Sequence, residues 1–307
     1  MQGYDIIVFG EYFCDLIITG LTEIPRLGAD IFGTSMGIVT GGSFNTVRAL
    51  HRLGLKVGWA ADFGNDLFSR YALDEIRQEG VDTHLFRRHD RPLRSFSLSF
   101  SCGSERGFIS YIDPVENYPR EPMVYAQRPR CVFLCGLEYG PEVLTLAEAV
   151  HAVGGLLGMD SQCTRATLKT PGVIEALQAV DLFMPNAEEA MSITGTRCPA
   201  DAAALLTRYT PLVVIKQGGE GVLAQSGERV VTAPAIPVTV LDTTGAGDSF
   251  NAGFLYSHLR GDPLEVSLAY GNICGGISTT GYGASAVPTL VEAEAYYRKY
   301  FNPQDLG

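Results

Sequence analysis

An α/β fold built on a doubly wound, mainly parallel sheet, with helices on both faces, is the class this sequence predicts. Three observations carry the prediction. Short apolar runs alternate with stretches of helical periodicity along most of the chain, the signature of strands joined by helical crossovers. From Gly247 to Phe301 the pattern is mostly helical, in three segments broken at Gly261-Asp262-Pro263 and at Gly281–Pro288. Two stretches depart from the rhythm in β-like pieces, which predicts a small sheet standing off the main one.

The elements follow in order. Asp5–Gly10 reads as a buried strand, Ser43–Leu53 as a helix, Lys56–Ala61 as a strand and Leu67–Glu79 as a helix. Arg130–Cys135, Leu156–Asp160, Asp181–Met184 and Leu212–Lys216 are further apolar runs of strand length, each followed by helical or turn material. Val222–Ala224 with Val230–Thr232 reads as a hairpin. Of the two irregular stretches, Ile17–Val39 mixes Gly, Pro and Thr with short strand-like pieces. Arg94–Ser101 and Gly107–Ile112 flank a polar Cys-Gly-Ser-Glu-Arg turn. Together, residues 16–40 and 92–114 are expected to form a lid on a single domain spanning 1–307. In Arg94–Ser101, Phe96, Leu98 and Phe100 alternate with Ser95, Ser97 and Ser99, so the apolar face is expected to close over substrate or pack on a second copy.

Composition bounds the function. The chain has 307 residues, 46% hydrophobic and 19% charged, which is globular and large enough for a sizeable core. A net charge of −11 argues against a nucleic-acid or anionic-membrane partner. No apolar run reaches the roughly 18 residues of a membrane span, and the start Met-Gln-Gly-Tyr-Asp lacks a basic leader, so a cytoplasmic protein is expected. Seven cysteines scatter without ligand spacing; Cys131 and Cys135 read as core thiols, not as a disulfide or zinc site.

The most informative string is Asp242-Thr-Thr-Gly-Ala-Gly-Asp248, followed by Ser-Phe-Asn-Ala-Gly. Gly245 and Gly247 let backbone approach a ligand closely, and the helix opening there aims unpaired N–H groups and its positive dipole end outward, which makes an anion hole. A carboxylate inside an anion hole would repel a phosphate unless it had chemistry to perform, and accepting a proton from an attacking hydroxyl is that chemistry. Capping the first turn is the alternative role for Asp248, worth about 0.3–1 kcal/mol.

The string resembles the C-terminal signature of the PfkB, or ribokinase-like, family of carbohydrate kinases. The resemblance implies the ribokinase-like fold with Asp248 as catalytic base and the Gly245, Ala246 and Gly247 amides holding the transferring phosphate. Gly41-Gly42-Ser43-Phe44-Asn45 resembles the family's N-terminal signature and implies that Gly41, Gly42 and Asn45 lie on the sugar, although two residues, where the family has three, separate Gly42 from Asn45. Asp15, in Gly10–Asp15, is implied on sugar hydroxyls. Gly64-Asn65-Asp66 resembles another landmark, but reads equally as a helix N-cap. Asn186 and Glu189, which also fit a capping box, are implied near the nucleotide phosphates and Mg²⁺. Lys216, Gly218 and Gly221 are implied in the nucleotide wall, Asn272 beside the adenine, and Asp242, Thr244 and Gly283 around a K⁺ ion. Asp160-Ser-Gln-Cys-Thr-Arg165 matches a family element only in part, which leaves the role of Arg165 open.

These landmarks run in order over most of the chain and predict an ATP-dependent kinase of a small sugar. A nucleoside kinase on the same fold, with Phe13, Phe44, Phe96 and Phe100 lining an aromatic lid, is the alternative within enzymes. A non-catalytic sugar-sensing protein is the alternative outside them. No Gly-x-x-x-x-Gly-Lys-Ser/Thr P-loop and no Gly-x-Gly-x-x-Gly after the first strand occurs. A homodimer through the lid is also expected.

Overall fold

The computed structural model describes residues 3–102, 105–162 and 164–301. The main sheet has eight strands. Six run parallel to one another: β1 (Ile6–Phe9) lies between β4 (Val57–Ala60) and β9 (Cys131–Leu134), and β9 is followed outward by β10 (Leu156–Met159), β11 (Leu182–Phe183) and β12 (Leu212–Lys216). The hairpin β13 (Val222–Ser226) and β14 (Arg229–Ala233) adds antiparallel to the β12 edge. β1 shows why the run is unbroken Ile-Ile-Val-Phe: the strand is covered on both faces. Ile6 and Val8 enter one core, and Ile7 and Phe9 the other.

The first core is roofed by α1 (Ser43–Arg52), α2 (Leu67–Glu79), α8 (Ala246–Leu259), α9 (Leu264–Ser278) and α10 (Leu290–Tyr300). The second lies under α3 (Glu121–Gln127), α4 (Pro141–Ala152), α5 (Val173–Ala179), α6 (Ala187–Thr194) and α7 (Pro199–Leu206). α2 is bounded as its sequence dictates. Asp66 accepts from Phe68 N and Ser69 N at the start, and Gly80 takes the left-handed conformation at the end. The Gly64-Asn65-Asp66 landmark is thus occupied in capping. Cys131 and Cys135 are buried free thiols. Among the described residues, no helix is long and apolar enough to cross a membrane.

A second sheet has four strands in the order β3 (Ser35–Gly42), β2 (Tyr12–Thr19), β7 (Ser95–Cys102) and β8 (Glu105–Ile112). A short pair, β5 (Asp62–Phe63) with β6 (Arg87–Arg88), lies apart from both. The turn expected at Cys102–Arg106 includes residues 103–104, outside the described residues. Two features differ from expectation. β2 starts at Tyr12, so Asp15 sits within a strand, ahead of the boundary at residue 16, and β3 runs on through Gly41 and Gly42 directly into α1. The face assignment also changes. Residues paired across neighbouring strands share a face. Asp15 pairs with Ser97, whereas Leu16 pairs with Leu98 and Ile18 with Phe100. The buried serines Ser95, Ser97 and Ser99 therefore share the face of Asp15, and Phe96, Leu98 and Phe100 lie on the other. Phe96 stacks on Phe68 of α2, with ring centroids 5.3 Å apart. A strand's period of two shows that its faces differ, but not which face meets the core.

Candidate active site

α8 begins without a side-chain cap. Gly245 stands at its N-cap with φ 75°, a left-handed conformation suited to glycine, and a Cβ there would press on Ala284 and on the Asn45 amide at 2.8 Å. Of its first-turn N–H groups, that of Ala246 donates to Thr243 O at 3.2 Å, and no side chain caps the others. Asp248, in that turn, does not bond back to them. Its carboxylate accepts from Asn45 Nδ2 at 3.2 Å and from Thr46 Oγ1 at 3.4 Å, both on the first turn of α1. Burial, and next the nearby Asp160 carboxylate, push Asp248 up to about 6, while Asn45, Lys216 and Thr46 pull the other way. The shortened Gly-Gly-x-x-Asn turn still delivers Asn45 to Asp248. Asn45 Oδ1 is buried without a hydrogen-bond partner, an acceptor left over for a donor from outside the chain.

Asp15 is only 8% exposed, and its carboxyl is raised to about 7, by burial first and then by Asp248 and Asp242. Its side chain lies against Gly41, where any Cβ would collide with Asp15 Oδ2. Gly42, at φ 65°, turns the chain from β3 into α1, with no room between Glu11 O and Phe13. Asp248 and Asp242 thus lie near enough to Asp15 for their charges to raise its carboxyl. Asp242 holds two loops together, accepting from Thr244 N at 2.9 Å, Thr244 Oγ1 at 2.8 Å and Gly283 N at 2.9 Å. Gly283 (φ 54°) in turn lies so close to Val39 of β3 that a Cβ would stand 2.6 Å from it. The 281–285 loop therefore links the small sheet to the segment that leads into α8.

Beside this centre opens a cavity of about 860 Å³ at the carboxyl ends of β1, β4, β9 and β10, where open α/β sheets bind ligands. Its wall includes Gly10, Phe13, Ser43, Cys135 and Gly136.

The pfkB family carbohydrate kinase model matches residues 5–290. The chain belongs to that family. It is 25% identical over 296 residues to a ribokinase of Bacillus subtilis, covering 94% of this chain and 98% of that protein. It is 27% identical over 270 residues to a fructokinase of Salmonella typhimurium, covering 81% and 88%. The ribokinase of Arabidopsis thaliana, solved with ribose and ATP, has the same fold: TM-score 0.80 at 19% identity, over 95% of this chain and 98% of that one.

The remaining landmarks of this PfkB-family chain behave unequally. Asn186 and Glu189 form a complete capping box at the start of α6: Asn186 Oδ1 accepts from Glu189 N, and Glu189 Oε2 from Asn186 N, each at 2.9 Å. Glu189 Oε2 also accepts from Ser161 Oγ at 2.6 Å. Gly218 is exposed in a 3₁₀ turn, whereas Gly221 (φ 96°) lies tight against the backbone after β14. Asn272 spends its amide on the carbonyls of Ala233 and Pro234, at 3.2 and 2.8 Å, pinning the chain beyond β14 to α9. Of the aromatics expected in a lid, Phe44 is fully buried and stacked on Trp59, so it belongs to the core. Arg165 is exposed.

Lys216 turns inward. Its ammonium donates to Asp160 Oδ2 at 2.8 Å and Asn251 Oδ1 at 3.1 Å, directly behind Gly247. Asn251 Nδ2 also reaches Asp160 Oδ2, whose other oxygen accepts from Ser161 N. The network thus ties the helix of Asp248 to β10, β12 and, through Ser161, the α6 cap. Sequence reasoning missed the parts of Asn251, Ser161 and Thr46. The one available signal was spacing: Asn251 stands three residues beyond Asp248, on the same helical face.

Proposed function

We propose that this family member transfers the γ-phosphoryl group of ATP to a hydroxyl of a small sugar, with Asp248 as the base. The observation that carries the reading is the meeting of Asn45 and Asp248 at an uncapped helix start. The acceptor hydroxyl lies between Asp248 and the γ-phosphorus. Its oxygen forms the new P–O bond as the bond to the β-phosphate oxygen breaks, and ADP leaves carrying that oxygen. Asp248 takes the hydroxyl proton. In a loose transition state the proton moves late, from an oxygen already made acidic, so a carboxylate suffices. The Gly245–Asp248 amides face the charge on the transferring group, and positioning supplies much of the rate. Asp15 and Asn45 hold neighbouring hydroxyls; the unpaired Asn45 Oδ1 fits that role.

Mg²⁺ supplies neutralisation of the nucleotide phosphates when bound. The α6 start fits it through water, since Glu189 Oε2 already accepts two protein hydrogen bonds. A K⁺ ion is assigned to the Asp242–Thr244–Gly283 junction, and the wall of the nucleotide site to Gly218, Gly221 and Asn272. The small sheet is the lid: its Asp15 face looks onto the site, and its opposite face, where Met36 and Ile109 are exposed, is offered to a second copy. A cytoplasmic location accords with this reading.

The test is ADP release, coupled to a spectrophotometric readout, with a panel of sugars and nucleosides as acceptors. Acceptor-dependent release by the wild-type protein, lost in Asp248→Asn with nucleotide binding retained, is the expected result. Release by no acceptor, with sugar binding intact, favours the sensor reading.

A further inference from the structure

The cavity beside the base is larger than a five- or six-carbon sugar requires, and its charge is lopsided. Its lining includes Glu11, Asp62 and Glu138 against Arg87 and Arg120. Both guanidiniums are already engaged. Arg87 pairs with Asp62 at 2.7 Å and lies 3.4 Å over the ring of Tyr118. Arg120 pairs with Glu138 at 2.7 Å and lies over Phe9. His89 Nε2 adds to Asp62 at 2.6 Å. Glu11 is different. Its backbone carbonyl accepts from Ser43 N and Oγ, which fixes the residue at the boundary between cavity and catalytic centre, while its side chain is exposed in the cavity. Although solvent reaches it, desolvation by the surrounding cavity wall, followed by Asp62 and Glu138, raises its carboxyl above the usual range, with Arg120 opposing. A carboxylate held near two others gains by meeting a donor or a cation and loses by meeting an anion.

We infer that this cavity is the specificity pocket, and that it takes an acceptor whose end remote from the transferred hydroxyl presents hydrogen-bond donors or an ammonium and carries no negative charge, with Glu11 as its reader. The inference rests on the kinase reading for the position of the transferred hydroxyl. The residues that reject an anion are separate from those that do chemistry. A carboxylate or phosphate group would sit near Glu11, Asp62 and Glu138 at once, and would compete with Asp62 for Arg87 or with Glu138 for Arg120. The Phe13, Tyr118 and Tyr139 rings in the same wall suit the apolar face of a sugar ring.

Calorimetric titration of the wild-type protein, saturated with a non-hydrolysable ATP analogue, with glucosamine, fructose and gluconate tests this directly. The expected affinity order is ammonium above neutral above carboxylate. Glu11→Gln is expected to erase the preference for glucosamine over fructose by about tenfold or more, the weight of one charge-assisted hydrogen bond. Glu11→Lys is expected to move gluconate to the front, and unchanged analogue binding shows that both variants are folded. Gluconate binding as tightly as fructose to the wild type, an unchanged preference in Glu11→Gln, or no binding of any probe overturns the inference. ADP release separates the two readings. Turnover with gluconate alone overturns the pocket and leaves the kinase standing. The expected binding order without turnover does the reverse.

Discussion

The starts of α6 and α8 are linked through Ser161, Asp160 and Asn251 and meet opposite fates. At α6, Asn186 and Glu189 satisfy each other's backbone donors, so the helix end is closed by its own side chains. At α8, glycine replaces the capping residue, and the acid in the first turn points across to Asn45 and Thr46 instead of back to its own amides. The first end is capped for stability, and the second is the end proposed for function. The difference teaches that an acidic first turn is informative only when its carboxylate is spent elsewhere.

The comparison is broken most severely at Asp248. Asp248→Asn is expected to lower kcat by about 10²–10⁴-fold while leaving ATP binding near wild type, measured by steady-state kinetics and calorimetry. The same variant should be the more thermostable protein at pH 8. Folding raises the Asp248 pKa from 3.8 to about 6, so the folded state favours the proton. The wild-type protein loses that stabilisation as pH climbs from near 4 through 6, and keeps it below 4. The gap in melting temperature between the two proteins should therefore close in acid. Wild-type turnover in the variant would remove the base assignment.

Next in size is the network behind the base. Asp160→Asn leaves Lys216 without its buried counter-charge and is expected to cost about 3 kcal/mol in chemical denaturation. It also removes the second-largest cause that holds the Asp248 pKa up. The acid limb of kcat, expected near pH 6 in the wild type, should move to lower pH. A destabilised protein with an unmoved limb would make Asp160 a purely structural residue.

At α6 the expected change is smaller and of another kind. Asn186→Ala removes a cap worth about 1 kcal/mol, read as a lower unfolding midpoint. If α6 contributes to Mg²⁺ through water, the variant's apparent Mg²⁺ requirement rises as well; a midpoint shift alone limits Asn186 to capping. The smallest effect is expected from replacing K⁺ with a bulky cation in the assay buffer. The decline should be severalfold, and equal rates in both buffers would empty the assignment at Asp242.

Much of this was legible in the residues, for reasons that differ by element. Parallel strands buried on both faces must be apolar without interruption, so runs such as Ile6–Phe9 and Cys131–Leu134 declared themselves. The Gly245–Asp248 turn was legible because few roles need glycine, glycine and a carboxylate together at a helix start. Tyr12–Thr19 was harder, since its inner and outer residues both include aliphatics, and nothing local fixes where pairing begins. The serine–phenylalanine alternation in β7 showed two faces, but which of them turns to the site depended on registry with Asp15, a partner far away in sequence. Lys216 shows a related limit: the resemblance implied it in the nucleotide wall, and only the fold shows its ammonium paired with Asp160 and Asn251.

The hydrogen bond from Asn45 to Asp248 joins residues 203 positions apart. At a translation rate of roughly 5–20 residues per second, about 10–40 s separate the appearance of the first from that of the second. Throughout that interval Asn45 and Thr46 stand without the carboxylate they later donate to. The contact between α1 and α8 is therefore made only when α8 docks, and a chain that stalls before residue 248 never forms it.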